Sequence, residues 1–195
     1  MVIGTLNYDN SIELLAQSHG LPCNTGIQDW SETGSINVTS NGLHLLKLHG
    51  SVDWQRYRQE ISDAKPMPTS AFRVLDKDVL PNMSEQHYPE VVFGGRNKLT
   101  AGGPYLDLFQ AFKKELDQVE ILTIVGYSFR DVHINTCITN WLNQGADHRI
   151  RIIRRNFDTD MGLYPDMLRR HASERLDVVK ASAGEGLSFL YPDIA

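Results

Sequence analysis

At 195 residues, with 41% hydrophobic and 22% charged residues, the chain has an ordinary globular composition and enough length for one domain with a core. Its formal net charge of -5 supplies no global attraction for nucleic acid. No apolar run reaches the length of a membrane span and the N-terminus lacks a charged-then-apolar signal, so a cytoplasmic location away from any membrane is the default expectation.

In chain order, Val2 to Leu6 reads as a short buried strand. Ser11 to His19 follows as a helix with Ile12, Leu15 and Ala16 on its buried face and Gly20 as its stop. The stretch from Leu21 to Asn41 is rich in Gly, Ser, Asn and Thr and reads mostly as loop, anchored by Trp30. Leu43 to Leu48 is the second strand. Residues 55–89 are charged, irregular and punctuated by Pro66, Pro68 and Pro81, an excursion or small subdomain within a single domain spanning 1–195. A brief strand from Glu90 to Phe93 ends in Gly94-Gly95. Pro104 then opens a helix with Tyr105, Leu108, Phe109, Phe112 and Leu116 on one face.

Ile121 to Val125 is an almost wholly apolar strand, the pattern expected where both faces are covered. Asp131 is placed to cap a helix burying Ile134, Cys137, Ile138, Trp141 and Leu142, with Gly145 closing it. Arg149 to Ile153 is another strand, and its alternating arginines predict a solvated or ligand-facing basic side. Tyr164 to Arg170 reads as a short helix and Leu176 to Val179 as an edge strand. Strands alternating with helices in this rhythm predict an α/β fold built on a doubly wound, mainly parallel sheet. Cys23 and Cys137 lie far apart, and their number excludes a zinc site of the two-plus-two cysteine type.

Three places carry groups suited to chemistry. In an open α/β sheet ligands sit beyond the carboxyl ends of the strands. Asn7 and Asp9 stand where the first strand stops. An Asn amide can orient water or a ribose hydroxyl, and an ionised Asp can steady positive charge, although Asn-Tyr-Asp-Asn-Ser is also ordinary turn and helix-cap sequence. His49 leaves the second strand just before Gly50 and Ser51, and a histidine there can take a proton near neutral pH. His44, earlier on that strand, reads as structural. In Val125-Gly126-Tyr127-Ser128-Phe129-Arg130-Asp131 a strand runs through a Gly turn into a helix start, where Gly126 and Ser128 can meet a phosphate or ribose. Asp131 and Asn135, four apart, share one helical face.

Taken in order, Thr5-Leu6-Asn7-Tyr8-Asp9, Leu46 to Trp54 with its Leu-His-Gly-Ser, Pro89-Glu90-Val91-Val92-Phe93-Gly94, Gly126 to Asp131 and Ile134-Asn135 resemble the sirtuin-like domains of prokaryotes. The nearest likeness is to the zinc-free branch found in NAD-consuming anti-phage defence proteins. The resemblance runs from the first residues to about Arg149–Arg155. It implies a Rossmann-like fold, NAD as substrate, and cleavage of the nicotinamide–ribose bond with water as acceptor and no metal. It implies that His49 is the catalytic base, that Asn7 lies beside the nicotinamide ribose and that Asp9 lies near the nicotinamide. Cofactor contacts would come from Thr5, Gly50, Ser51, Gly126, Ser128, Asp131 and Asn135. Two other readings use the same residues: an NAD-dependent protein deacylase, and a non-catalytic module binding NAD or ADP-ribose.

One feature of that family is absent. Its members begin with a strand ending in a Gly-Ala-Gly-x-Ser type loop that cradles the NAD pyrophosphate, and none of Gly4, Gly42, Gly102 and Gly103 has that strand-to-helix context. A missing first βα unit is expected to leave an apolar groove beside Val2–Leu6. That groove would be completed by an upstream segment, a partner chain or a second copy of the chain.

Overall fold

A computed structural model describes residues 1–39, 41–59, 69–75, 90–91, 103–155 and 163–191. They form two compact units, Met1–Lys114 and Glu115–Ala195, each with its own three-stranded parallel sheet. The fold is mixed α/β with mainly parallel pairing, as the strand–helix rhythm predicts.

The first unit opens with β1 (Val2–Thr5) and α1 (Ser11–Ser18). The stretch expected to be loop holds β2 (Cys23–Asn24) and a short helix α2 (Ile27–Thr33). Then come β3 (Leu43–Lys47), β4 (Gly50–Ser51), β5 (Trp54–Gln59), β6 (Thr69–Val74), β7 (Glu90–Val91) and α3 (Tyr105–Leu116). β3 is central in the order β1-β3-β2 and buried along its whole length. Burial of all five residues, His44 and Lys47 included, fits a strand covered on both faces. Two pairings depart from the parallel expectation: β4 with β7, and β5 with β6, are antiparallel. The β5–β6 pair supplies the described part of the excursion at 55–89; residues 60–68 and 76–89 of that excursion lie outside the described residues, as does the Phe93-Gly94-Gly95 end of the next predicted strand.

Trp30 acts as the expected anchor. Its indole N–H donates to Asp107 of α3 at 2.8 Å, and its ring meets Phe72 of β6 edge-on at 5.5 Å. Ser31, one residue on, both accepts from Phe72 N–H and donates to Phe72 C=O, each at 2.8 Å. A seven-residue helix is marginal alone, so these tertiary ties account for α2 forming in a polar segment. α3 buries Tyr105, Leu108 and Leu116 on the predicted stripe, and Gly4 of β1 leaves room for the Phe112 ring, which an added Cβ would meet at 2.8 Å. On α1 the expected apolar face holds only in part: Ala16 is buried, but Leu15 is 61% exposed.

The second unit contains β8 (Ile121–Val125), α4 (Val132–Gln144), β9 (Arg149–Arg154), α5 (Leu163–His171), β10 (Leu176–Lys180) and α6 (Ala183–Leu190). The order is β10-β9-β8, so β8 pairs on one side only among the described residues. Ile121 and Val125, which share one face of the strand, are exposed, whereas Ile124 on the other face is buried: composition signals tolerance of burial, and the cover over each face decides it. α4 buries all five predicted apolar residues, each worth about 1.5–3 kcal/mol when fully covered. Asp131 caps it, accepting from His133 N and Ile134 N. Gly145 ends it in extended backbone rather than the left-handed form expected of a closing glycine. A glycine is needed there all the same, because the His148 ring, stacked on Trp141 at 4.6 Å, would lie 2.8 Å from an added Cβ.

The arginines of β9 are turned to the chain's own use. Arg149 donates to Glu174 C=O at 3.0 Å. Arg151 pairs with Asp177 at 3.5 Å and lies over the Tyr191 ring. Arg149 is exposed and Arg151 and Arg154 half-buried while the isoleucines between them are buried, so the alternation gives the solvated one of the two basic sides predicted. α6 begins in a capping box of Ser182 and Glu185 and closes on β9 through Gly186, where any Cβ would collide with Ile153.

Candidate functional site

Parallel pairing of β1 and β3, with Thr5 opposite Lys47, sets the carboxyl ends of both strands side by side. The two segments singled out by sequence therefore leave the same end of one sheet. Backbone bonds join them: Leu48 N donates to Thr5 O at 3.0 Å, and Val52 N to Tyr8 O at 3.0 Å.

Past β1 the chain turns under side-chain control. Thr5 Oγ1 accepts from Asn7 N at 3.1 Å, and Asp9 Oδ1 accepts from Ser11 N at 2.9 Å, opening α1. Asn7 and Asp9 are both exposed. Hydrogen bonds from the Ser11 side chain and backbone hold the Asp9 carboxyl below the usual carboxylate range. Asp9 thus performs the turn chemistry that the sequence offered as the plain alternative.

His49 is 9% exposed, and its ring centroid lies 6.3 Å from that of Tyr8, tilted by 31°. Tyr8 sits between Asn7 and Asp9, so the imidazole and the Asn7–Asp9 turn share one neighbourhood. Gly50 follows with φ +86°, a left-handed conformation that glycine adopts at no steric cost. It lets the chain reverse straight after His49 into β4. Ser51 is fully buried and donates both to Asp53 Oδ1 and, at 3.1 Å, to Asn10 Oδ1. Asn10 in turn donates to Asp53 Oδ2 at 2.9 Å. Ser51 is therefore bound into the frame beneath the turn. His44 is structural as expected: it is 2% exposed and its Nε2 accepts from Thr39 N at 3.2 Å.

Sequence reasoning passed over Lys47. It has no exposed surface, and its ammonium reaches Asp9 O (2.7 Å), Glu13 Oε1 (2.7 Å), Asn10 Oδ1 (3.1 Å) and Tyr8 O (3.4 Å). The signal was present: a lysine inside Leu45-Leu46-Lys47-Leu48 must find a partner if the strand is buried.

The remaining candidates lie in the second unit and form a group of their own. Gly126 takes φ +66° as β8 ends, and Phe129 is a buried non-glycine residue at φ +57°. Two side chains brace this turn. The Tyr127 hydroxyl donates to Asp131 O (3.1 Å) and Asn135 Oδ1 (3.0 Å) and accepts from Asp131 N (3.2 Å). Asn135 Nδ2 donates to Phe129 O at 2.8 Å. The amide of Asn135 and the carboxylate of Asp131 thus serve the turn and the helix cap, while Gly126 and Ser128 are exposed on it. Among the described residues, no group of three or more His, Cys, Asp or Glu is placed to hold a metal ion, and no helix is long and apolar enough to cross a membrane.

Comparisons with known proteins add a family. No curated protein matches the chain. Among solved structures, one described as the structural basis for the mechanism and regulation of Sir2 enzymes matches at 17% identity with a TM-score of 0.48. The match covers 87% of this chain and 68% of that one. Another, a mutant Sir2 homologue in complex with 2'-O-acetyl ADP ribose, matches at 16% identity and a TM-score of 0.48, over 88% of this chain and 66% of that one. This chain spans about two thirds of their length. The family model described as SIR2-like domain matches residues 1–163, and by that match the chain belongs to the SIR2-like domain family.

Proposed function

We propose that the chain is a sirtuin-like domain that takes NAD as substrate and hydrolyses its nicotinamide–ribose bond, with bacterial anti-phage defence as its setting. The observation that carries this reading is the meeting of His49 with the Asn7–Asp9 turn at one end of the β1–β3 pair. Cleavage leaves neutral nicotinamide and an oxocarbenium-like ribose, which water then attacks; the products are nicotinamide, ADP-ribose and a proton. His49 takes the proton from the attacking water or a ribose hydroxyl. Asn7, exposed on the turn that carries Tyr8, orients the water, and Asp9, ionised at neutral pH, steadies the developing positive charge. Thr5, Gly50 and Ser51 frame this end of the sheet. In the second unit, the Gly126–Ser128 turn leading into a capped helix start supports a phosphate or ribose contact, with Asp131 and Asn135 holding that turn in shape.

The test is nicotinamide release from NAD by the full chain, measured by chromatography beside an acyl-lysine peptide assay. The His49→Ala variant is expected to lose activity by about a hundredfold or more while keeping its fold. Unchanged turnover in that variant removes His49 from the mechanism. Peptide deacylation without free ADP-ribose would replace hydrolysis by the deacylase reading.

A further inference from the structure

We infer that Lys47 is a positioning residue for this site: its buried ammonium fixes the turn carrying Asn7 and Asp9 against the turn carrying His49. The inference rests on the activity proposed above and extends it to a residue that touches no substrate. Lys47 lies two residues before His49 on the same chain, opposite Thr5 in the β1–β3 ladder. Its Nζ binds the main-chain carbonyls of Tyr8 and Asp9, at 3.4 and 2.7 Å, the peptide units directly after Asn7. The same ammonium holds Asn10 Oδ1, which also receives the Ser51 hydroxyl from beyond His49. The Tyr8 carbonyl receives Val52 N as well. One cation is thus the common node of both segments, and moving it shifts Tyr8 and with it the ring beside His49.

A lysine with no exposed surface is an expensive way to hold a loop. A buried ion pair is commonly matched in stability by apolar residues of similar volume, so stability alone does not account for it. Glu13 is the charge partner, at 2.7 Å and 23% side-chain exposure. Its other oxygen, Oε2, is buried without a hydrogen-bond partner among the described residues. Removing Lys47 alone would strand that carboxylate. The double variant Lys47→Met/Glu13→Gln avoids this by removing both charges together.

Two measurements on the full chain decide the matter. Amide exchange at Val52 and Ser11, whose N–H groups bond Tyr8 O and Asp9 Oδ1, is expected to speed up by about tenfold or more in the double variant, with the α4 amides unchanged. For nicotinamide release, kcat is expected to fall by about tenfold or more while KM stays within about threefold, since misplacement of reacting groups costs rate more than affinity. Unchanged exchange at Val52 and Ser11, or exchange rising equally in α4, overturns the inference, as does unchanged kcat in a folded variant. If the unaltered chain releases no nicotinamide, the proposed activity falls instead, and the exchange comparison alone still decides whether Lys47 holds the turn.

Discussion

Asp9 shows how one carboxylate can serve structure whatever else it does. Its folded-state pKa is depressed by bonds from Ser11, so ionisation favours the folded form. The contribution is complete at neutral pH and is lost as pH falls through the depressed value, below about 4. Asp9→Asn should therefore lower the denaturation midpoint at pH 7 and converge on the unaltered protein towards pH 2. Parallel midpoints across that range would mean the Ser11 bonds contribute nothing. Asn135 offers a second test at this scale. Its Nδ2 bond to Phe129 O secures a residue held at positive φ, where strain of about 1–3 kcal/mol is usual. Asn135→Ala should destabilise the chain by about 1–2 kcal/mol in a urea titration; a change below a few tenths would count against the brace.

At the scale of elements, Gly186 decides how closely α6 approaches β9. Gly186→Ala would force a methyl group against Ile153, and overpacking of this kind costs about 1–3 kcal/mol. A shortened Ile153→Ala partner should recover part of that loss in the double variant, while strict additivity would place the contact elsewhere. The elements also show what the sequence makes legible. Helix α4 was readable end to end because a cap, a 3.6-residue stripe and a terminal glycine all agree on it. Helix α2 was not, because its stability comes from Trp30 and Ser31 reaching residues 41 and 77 positions away, and no local pattern encodes that. The exposure of Ile121 and Val125 on β8 was not legible for a related reason: an apolar run cannot announce which of its faces will be covered. In the site, His49, Asn7 and Asp9 were visible as strand-end residues. Lys47 lay inside the predicted strand Leu43 to Leu48 but drew no notice, because its partners come from the segment after β1.

For the whole molecule, the decisive property is whether the chain holds NAD by itself. A ligand that binds only the folded form at a hundred times its Kd adds about 2.7 kcal/mol. Thermal melting of the full chain with millimolar NAD or ADP-ribose should therefore rise by several degrees. A rise without nicotinamide release would mark a binding module, and no rise with either nucleotide would remove NAD from the proposal.

The ladder between β1 and β3 has a consequence for how the chain is made. Val2 can dock only on His44, with all of α1 and α2 synthesised in between, whereas Ile121 finds Arg149 across a single helix. Distant partners close slowly. On a translating ribosome β1 and β3 can pair only after His44 has cleared the exit tunnel. Once its strands have emerged, the histidine end of that sheet therefore closes more slowly than the β8–β9 ladder does.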